Sequence, residues 1–322
     1  MHIPDGFLDS KTAVTAAALA VTGLGVALRR ARLHLPPRRV PLLGLAAAFV
    51  FAAQMINFPV AGGTSGHLIG AMLAAVLLGP SAAVIVISAV LIVQCLMFAD
   101  GGISALGANI FNMGVIGGVG GWAVYHVVTR LVKGLFGCVV AAGFAAWCST
   151  VMASVACAGE LASSHTVRWS VALPAMAGVH MLIGIGEGLI TVLVLVAIAR
   201  TRPELLQPEA APEPRRSYGA IVAYGGLIAL GLALFVSPLA SRWPDGLDRT
   251  AELLGFKEKA VAPTVPAPMP DYEVPGFHWT TLGTSLAGAV GTIVVFALAW
   301  LLARVLVPKT RPENTAGPPA GR

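Results

Sequence analysis

Ser81-Ala-Ala-Val-Ile-Val-Ile-Ser-Ala-Val-Leu-Ile-Val-Gln-Cys-Leu-Met-Phe98 is a run of eighteen residues without a charge. A helix that crosses the hydrocarbon core of a bilayer needs about 20 mostly apolar residues, so this run predicts a membrane span. Comparable runs lie at 11–28, 40–57, 67–79, 103–128, 134–157, 173–199, 217–237 and 279–306, nine segments with the first. The run at 67–79 is short and stops at Gly79-Pro80, which predicts a tilted or partial crossing. Composition agrees: the chain is 57% hydrophobic and 11% charged, whereas soluble domains are about 25% charged. The expected fold is an all-α polytopic membrane bundle.

Charge placement predicts the orientation. With the N-terminus outside, 15 of the 21 lysines and arginines fall in cytoplasmic segments, including Arg29, Arg30, Arg38, Arg39, Arg130 and Arg200. Lys11, Arg168, Arg242, Arg249, Lys257 and Lys259 remain outside, and positive loops belong on the cytoplasmic side. The net charge of +6 is explained by these loops, and nucleic-acid binding is discarded. Cys95, Cys138, Cys148 and Cys157 lie in apolar runs without C-x-x-C spacing, so they read as small buried hydrophobes.

The chain opens with Met1-His2-Ile3-Pro4-Asp5-Gly6-Phe7-Leu8-Asp9-Ser10, which lacks the pattern of a signal peptide and is expected to keep Met1 as its first residue. A terminal amine, the His2 backbone nitrogen and His2 Nδ1 can close a five-membered and a six-membered chelate ring around one ion, leaving a fourth in-plane position open. Such a nitrogen square suits Ni(II) or Cu(II), and Co(II) less strictly. Pro4 offers no amide, and Pro4-Asp5-Gly6 predicts a turn that folds the terminus back into the protein. On these residues alone, an ordinary frayed terminus is the competing reading.

Three further stretches bear on that choice: residues 48–60, Ala-Phe-Val-Phe-Ala-Ala-Gln-Met-Ile-Asn-Phe-Pro-Val; residues 63–68, Gly-Thr-Ser-Gly-His-Leu; and residues 105–114, Ala-Leu-Gly-Ala-Asn-Ile-Phe-Asn-Met-Gly. Together with the opening they closely resemble the CbiM/NikM family, the substrate-binding membrane components of energy-coupling factor transporters for cobalt or nickel. The resemblance covers roughly residues 1–200. It implies a seven-helix substrate-binding bundle in the cytoplasmic membrane of a bacterium or archaeon, with metal bound by Met1, His2 and His67. It also implies that a transmembrane coupling subunit of CbiQ/NikQ type and ATPase subunits of CbiO/NikO type come from other chains. Ni(II) or Co(II) is then cargo, and no permanent cofactor is expected.

Residues 201–216 are proline-rich and charged and predict a cytoplasmic linker. Beyond it, 217–306 predicts two helices flanking an outside loop that carries Trp243-Pro244-Asp245-Gly246-Leu247-Asp248. This hairpin resembles the small PDGLE-type component of CbiN/NikN kind, with Asp248 where that motif ends in Glu. It has no histidine ahead of its Pro-Asp-Gly turn, so it is expected to help load the site or hold the N-terminal loop closed, not to bind metal. The segment 261–270 is expected to stay extended, and 307–322 to be a disordered tail.

His67 follows a glycine-rich approach, and a ligating histidine usually has its other ring nitrogen held by a polar partner. Gln54, Asn57, Thr64 and Ser65 are the candidates. Asn109 and Asn112, amides in an apolar segment, fit either interhelical hydrogen bonding or support of the metal site. Glu187 is the one carboxylate inside a predicted span; because carboxylates favour harder ions, it reads as a packing or partner-contact residue. His34 and His126 read as incidental, and His165 and His180 as weaker metal candidates than His67.

No P-loop, nucleophile elbow or H-E-x-x-H occurs, so an ATPase, hydrolase or metalloprotease has no support and no enzyme activity is expected. A stand-alone secondary transporter or channel for divalent metals is the alternative, but it would want several in-membrane acids and a repeated half. A membrane sensor would need a cytoplasmic output domain.

Overall fold

The computed structural model describes residues 1–206, 218–277 and 279–307; the expectations for most of the linker and for the tail lie outside these. Each apolar run becomes helix. The order is α1 (Ser10–His34), α2 (Val40–Gln54), α3 (Ala71–Leu78), α4 (Pro80–Phe98), α5 (Leu106–Asn109), a π-helical stretch Ile110–Gly120, α6 (Gly121–Leu131), α7 (Gly134–Ser163), α8 (Trp169–Thr201), α9 (Gly219–Gly231), α10 (Gly246–Leu254) and α11 (Thr280–Leu306). Six helical runs in the described residues are long and apolar enough to span a membrane: α1, α4, α7, α8, Gly219–Leu239 and α11. The other three predicted segments differ in form. α2 has 15 residues, α3 only 8, and the run at 103–128 is a composite of α5, the π stretch and α6.

α4 is the axis of the bundle, with residues 82–91 buried without a break. α1, α2, α3 and the π stretch pack around it, α7 runs along α8, and α11 lies against α2. The outward faces of α1, α8 and α9 expose Val14, Val21, Ile185, Leu189, Tyr224 and Leu227, the apolar surface that a bilayer covers. Pro80 stands at the first position of α4, where its missing N–H costs nothing, so the predicted stop is a break between two helices.

Two elements position the site and carry no long apolar signal. A two-stranded antiparallel hairpin, β1 (Phe58–Val60) and β2 (Thr64–Gly66), precedes α3 and delivers His67. α10 follows Asp245, whose Oδ1 accepts from the backbone N–H groups of Leu247 and Asp248 at 2.8 Å, an ordinary N-cap. Residues 261–269 form no regular element, as expected, but they are tethered: Val261 N–H donates to Asp5 O, and Met269 N–H to Met97 O.

Candidate metal centre

The first seven residues fold inward. Met1, Ile3, Asp5 and Phe7 are all buried, with Asp9 then capping α1 through Thr12 N–H. Asn109 brackets the Ile3 peptide, accepting from Ile3 N–H at 2.8 Å and donating to Ile3 O at 3.2 Å. Asp5 Oδ1 accepts from the Ser104 N–H and hydroxyl. Gly102 makes room for this turn, because a side chain there would collide with the Asp5 backbone.

At the centre, the Met1 amine nitrogen lies 2.8 Å from His67 Nε2. His67 and His2 stack with ring centroids 5.0 Å apart and planes within 6°. The predicted trio Met1, His2 and His67 is therefore brought together, although His2 Nδ1 faces Asp100 Oδ1 at 2.9 Å. Beside Met1 and His67 is a cavity of about 10 Å³, also lined by Asp245, Gly246, His180 and Thr150, just enough for one water-sized sphere. A larger cavity of about 460 Å³, lined by Arg30, His34 and Arg39, is at the opposite ends of α1 and α4 and has no part in this cluster.

Among the described residues, no three His, Cys, Asp or Glu side chains form a metal cage. Any donor set here would need nitrogen from the main chain beside the two histidines. The remaining groups are carboxylates at the edge. Asp245 Oδ2 lies 2.5 Å from the Met1 amine nitrogen. Burial alone would raise the Asp245 carboxyl, but the Met1 ammonium and the His67 ring outweigh it and hold it well below the usual carboxylate range. Asp100 is likewise held low against its burial, chiefly by the His2 ring and by the Tyr272 hydroxyl, which donates to Asp100 Oδ2 at 2.7 Å.

The other candidates separate. None of Gln54, Asn57, Thr64 and Ser65 holds the His67 ring: its Nδ1 is bonded to Leu68 O at 3.1 Å. Gln54 Nε2 donates to Ile69 O, and Ser65 Oγ to Trp243 O, which ties β2 to the C-terminal hairpin. The Asn57 carbonyl accepts from Ser241 N–H, and Thr64 is buried in the β2 ladder opposite Val60. Asn109 supports the N-terminal segment, whereas Asn112 donates to Glu160 on α7 at 2.6 Å. Glu187 is fully buried and accepts from Ile69 and Gly70 N–H, so of the two roles expected it has an internal packing contact, made to the loop after His67. His180 lines the central cavity, closer than its sequence context suggested.

Two residues of the centre were missed. Asp100 follows α4 without a motif, and Asp245 stands in the loop of a hairpin read as lacking donors. The Pro-Asp-Gly turn repeated at 4–6 and 244–246 was the available signal, since both turns close on the same end of the bundle.

Residues 2–205 match the family described as the cobalt uptake substrate-specific transmembrane region, CbiM, and residues 219–308 match the PDGLE domain. The chain belongs to the CbiM family. It is 37% identical over 306 residues, 94% of this chain and 98% of the other, to an Archaeoglobus fulgidus protein provisionally named a fused nickel transport protein, NikMN. It is 35% identical to the fused nickel transport protein NikMN of Rhodobacter capsulatus, covering 92% of this chain and 95% of that one. A crystal structure described as a transition metal transporter shares 34% identity with a TM-score of 0.58, covering 65% of this chain and 98% of that chain. As in the two fused relatives, one CbiM chain here carries both parts.

Proposed function

We propose that this protein is the metal-capturing membrane component of an ATP-driven energy-coupling factor importer of Ni(II) or Co(II), with the ion held by the Met1 amine, the His2 backbone nitrogen, His2 Nδ1 and His67 Nε2. The observation that carries the reading is the 2.8 Å approach of the Met1 amine to His67 Nε2. A histidine nitrogen sits about 2.0 Å from a zinc ion, so donors at right angles around an ion of that size stand about 2.8 Å apart. In the chelate the His2 backbone nitrogen lies between the amine and Nδ1, which places His67 beside the amine and opposite the His2 amide. Asn109 occupies the Ile3 N–H, and Pro4 has none, so the donor set ends at residue 2.

Asp100 and Asp245 hold His2 and the amine in place until the ion takes them. The amine and the His2 backbone amide each shed a proton to the solvent on binding, the amine's beside Asp245. ATP hydrolysis and coupling are assigned to other chains, of CbiO/NikO and CbiQ/NikQ type, and the N-terminus faces outside. The names of the fused relatives and the nitrogen-rich donors favour nickel over cobalt.

Metal analysis of the purified full chain after equal exposure to Ni(II), Co(II) and Zn(II) tests the cargo. One equivalent of Ni(II) or Co(II) is expected. Retention of Zn(II) alone would overturn the reading, as would metal uptake by cells that express this chain without partner subunits.

A further inference from the structure

The peptide group joining Leu68 to Ile69 is gripped from both sides. Its carbonyl oxygen is bonded to His67 Nδ1 at 3.1 Å, and its N–H donates to Glu187 Oε2 at 2.5 Å. The second carboxylate oxygen accepts from the next N–H, that of Gly70, at 2.9 Å. Two consecutive N–H groups thus converge on one carboxyl group, and Gly70, with a left-handed φ of +74°, turns the chain directly after them into α3. Glu187 reaches this loop from the middle of α8, 118 positions away from Ile69, and is fully buried.

The direction of the first bond is fixed by chemistry. A carbonyl oxygen only accepts, so Nδ1 carries the proton, and the lone pair of the neutral ring lies on Nε2, the atom that meets the Met1 amine. A ligating histidine usually gives its other N–H to a carboxylate or carbonyl, which sets the tautomer and turns the ring. Here a carboxyl group and a histidine are joined through one peptide, and an acceptor on its N–H side polarises its carbonyl toward the ring. Along α8, His180, Ile183 and Glu187 recur at helical spacing; Ile183 packs on Gly66, so this one face of α8 meets the residues before and after His67.

We infer that Glu187 is a positioning residue for His67, fixing the ring's tautomer and direction through the Leu68–Ile69 peptide. A carboxylate inside an apolar helix is costly, and both of its oxygens are used on the loop that carries His67. The inference rests on the reading of His67 as a metal donor.

The test is a double-mutant cycle on the full-length protein in detergent, with Cu(II) as probe because it binds nitrogen donors tightly enough to be followed when His67 is gone. Glu187→Gln keeps the size but replaces one acceptor oxygen by an amide NH2, which donates. It is expected to weaken binding about 10- to 100-fold and to alter the nitrogen hyperfine pattern of the bound copper, with helix content unchanged. In a His67→Ala background the same substitution should change affinity less than about twofold. Wild-type affinity and spectrum in Glu187→Gln, or an equal loss in both backgrounds, would overturn the inference. If Glu187→Gln does not fold, the same cycle with Glu187→Asp decides by the same two outcomes. His67→Ala alone binding like wild type would instead sink the assignment of His67 as a donor, so the two failures are told apart.

Discussion

The Asp245 carboxylate lies 2.5 Å from the Met1 amine nitrogen across 244 positions of chain. The turn that opens α10 thus closes over the first residue. Ser65 strengthens the closure, its N–H donating to Pro244 O at 2.9 Å and its hydroxyl to Trp243 O at 2.7 Å. Asp245→Asn removes the charge and no proposed nitrogen donor. Because the ion pair competes with metal for the amine, this variant should bind Ni(II) no more weakly than wild type, and up to about fivefold more tightly if the pair is worth about 1 kcal/mol. The loop at 255–277 should meanwhile be cleaved faster by protease. Calorimetry and limited proteolysis on one preparation check both.

A Gly-Ser extension ahead of Met1 converts the amine to an amide and adds bulk where Met1 is 4% exposed. High-affinity binding should disappear while the apolar bundle, which does not depend on the terminus, keeps its helix content. Normal uptake by an extended chain together with its partners would remove the amine from the donor set.

His67→Ala should weaken Ni(II) binding by orders of magnitude. His126→Ala and His165→Ala, whose side chains line no part of the cavity, should bind within about twofold of wild type. His180→Ala enlarges the cavity beside Gly246 without removing a proposed donor, so its loss should be intermediate. Titration of the four proteins with nickel orders them.

Gly102→Val forces the Asp5 turn outward, since even a β-carbon collides with the Asp5 backbone. Metal affinity should fall at least tenfold with the unfolding temperature within a few degrees of wild type. Equal affinity would mean that the terminus reaches the site without this turn.

The pH dependence has a definite sign. Asp245 and Asp100 are held below the ordinary carboxylate range, so their contribution is present at neutral pH and is lost as pH falls below about 4 toward the lower folded values. Hydrogen exchange in residues 242–262 of the metal-free protein should accelerate over that acid window, and Asp245→Asn should flatten the change. Faster exchange on raising the pH from 5 to 7, beyond the intrinsic chemical rate, would contradict this.

The spans were legible because each is a local property: a run of apolar residues satisfies its own backbone as helix whatever surrounds it. Pro80, Gly79 and the Asp9 cap mark their ends in the same local way. The nitrogen pattern of the proposed chelate was legible too, since three of its atoms come from two adjacent residues, Met1 and His2. What holds these donors was not. Leu68 O, in place of Thr64 or Ser65, takes the His67 proton because the backbone after β2 turns that carbonyl toward the ring. Asn112 faces Glu160, whereas Asn109, three positions earlier, faces Ile3. On a regular α-helix residues three apart share a face; these two meet different partners where α5 passes into the π stretch, a change of winding that the sequence does not announce. Asp245 meets Met1 only because the C-terminal hairpin docks on the bundle, a contact set by packing between segments far apart in the chain. Residue type and local spacing therefore determined the helices and the nitrogen-rich terminus, and tertiary packing decided which carboxylates and carbonyls aim its groups.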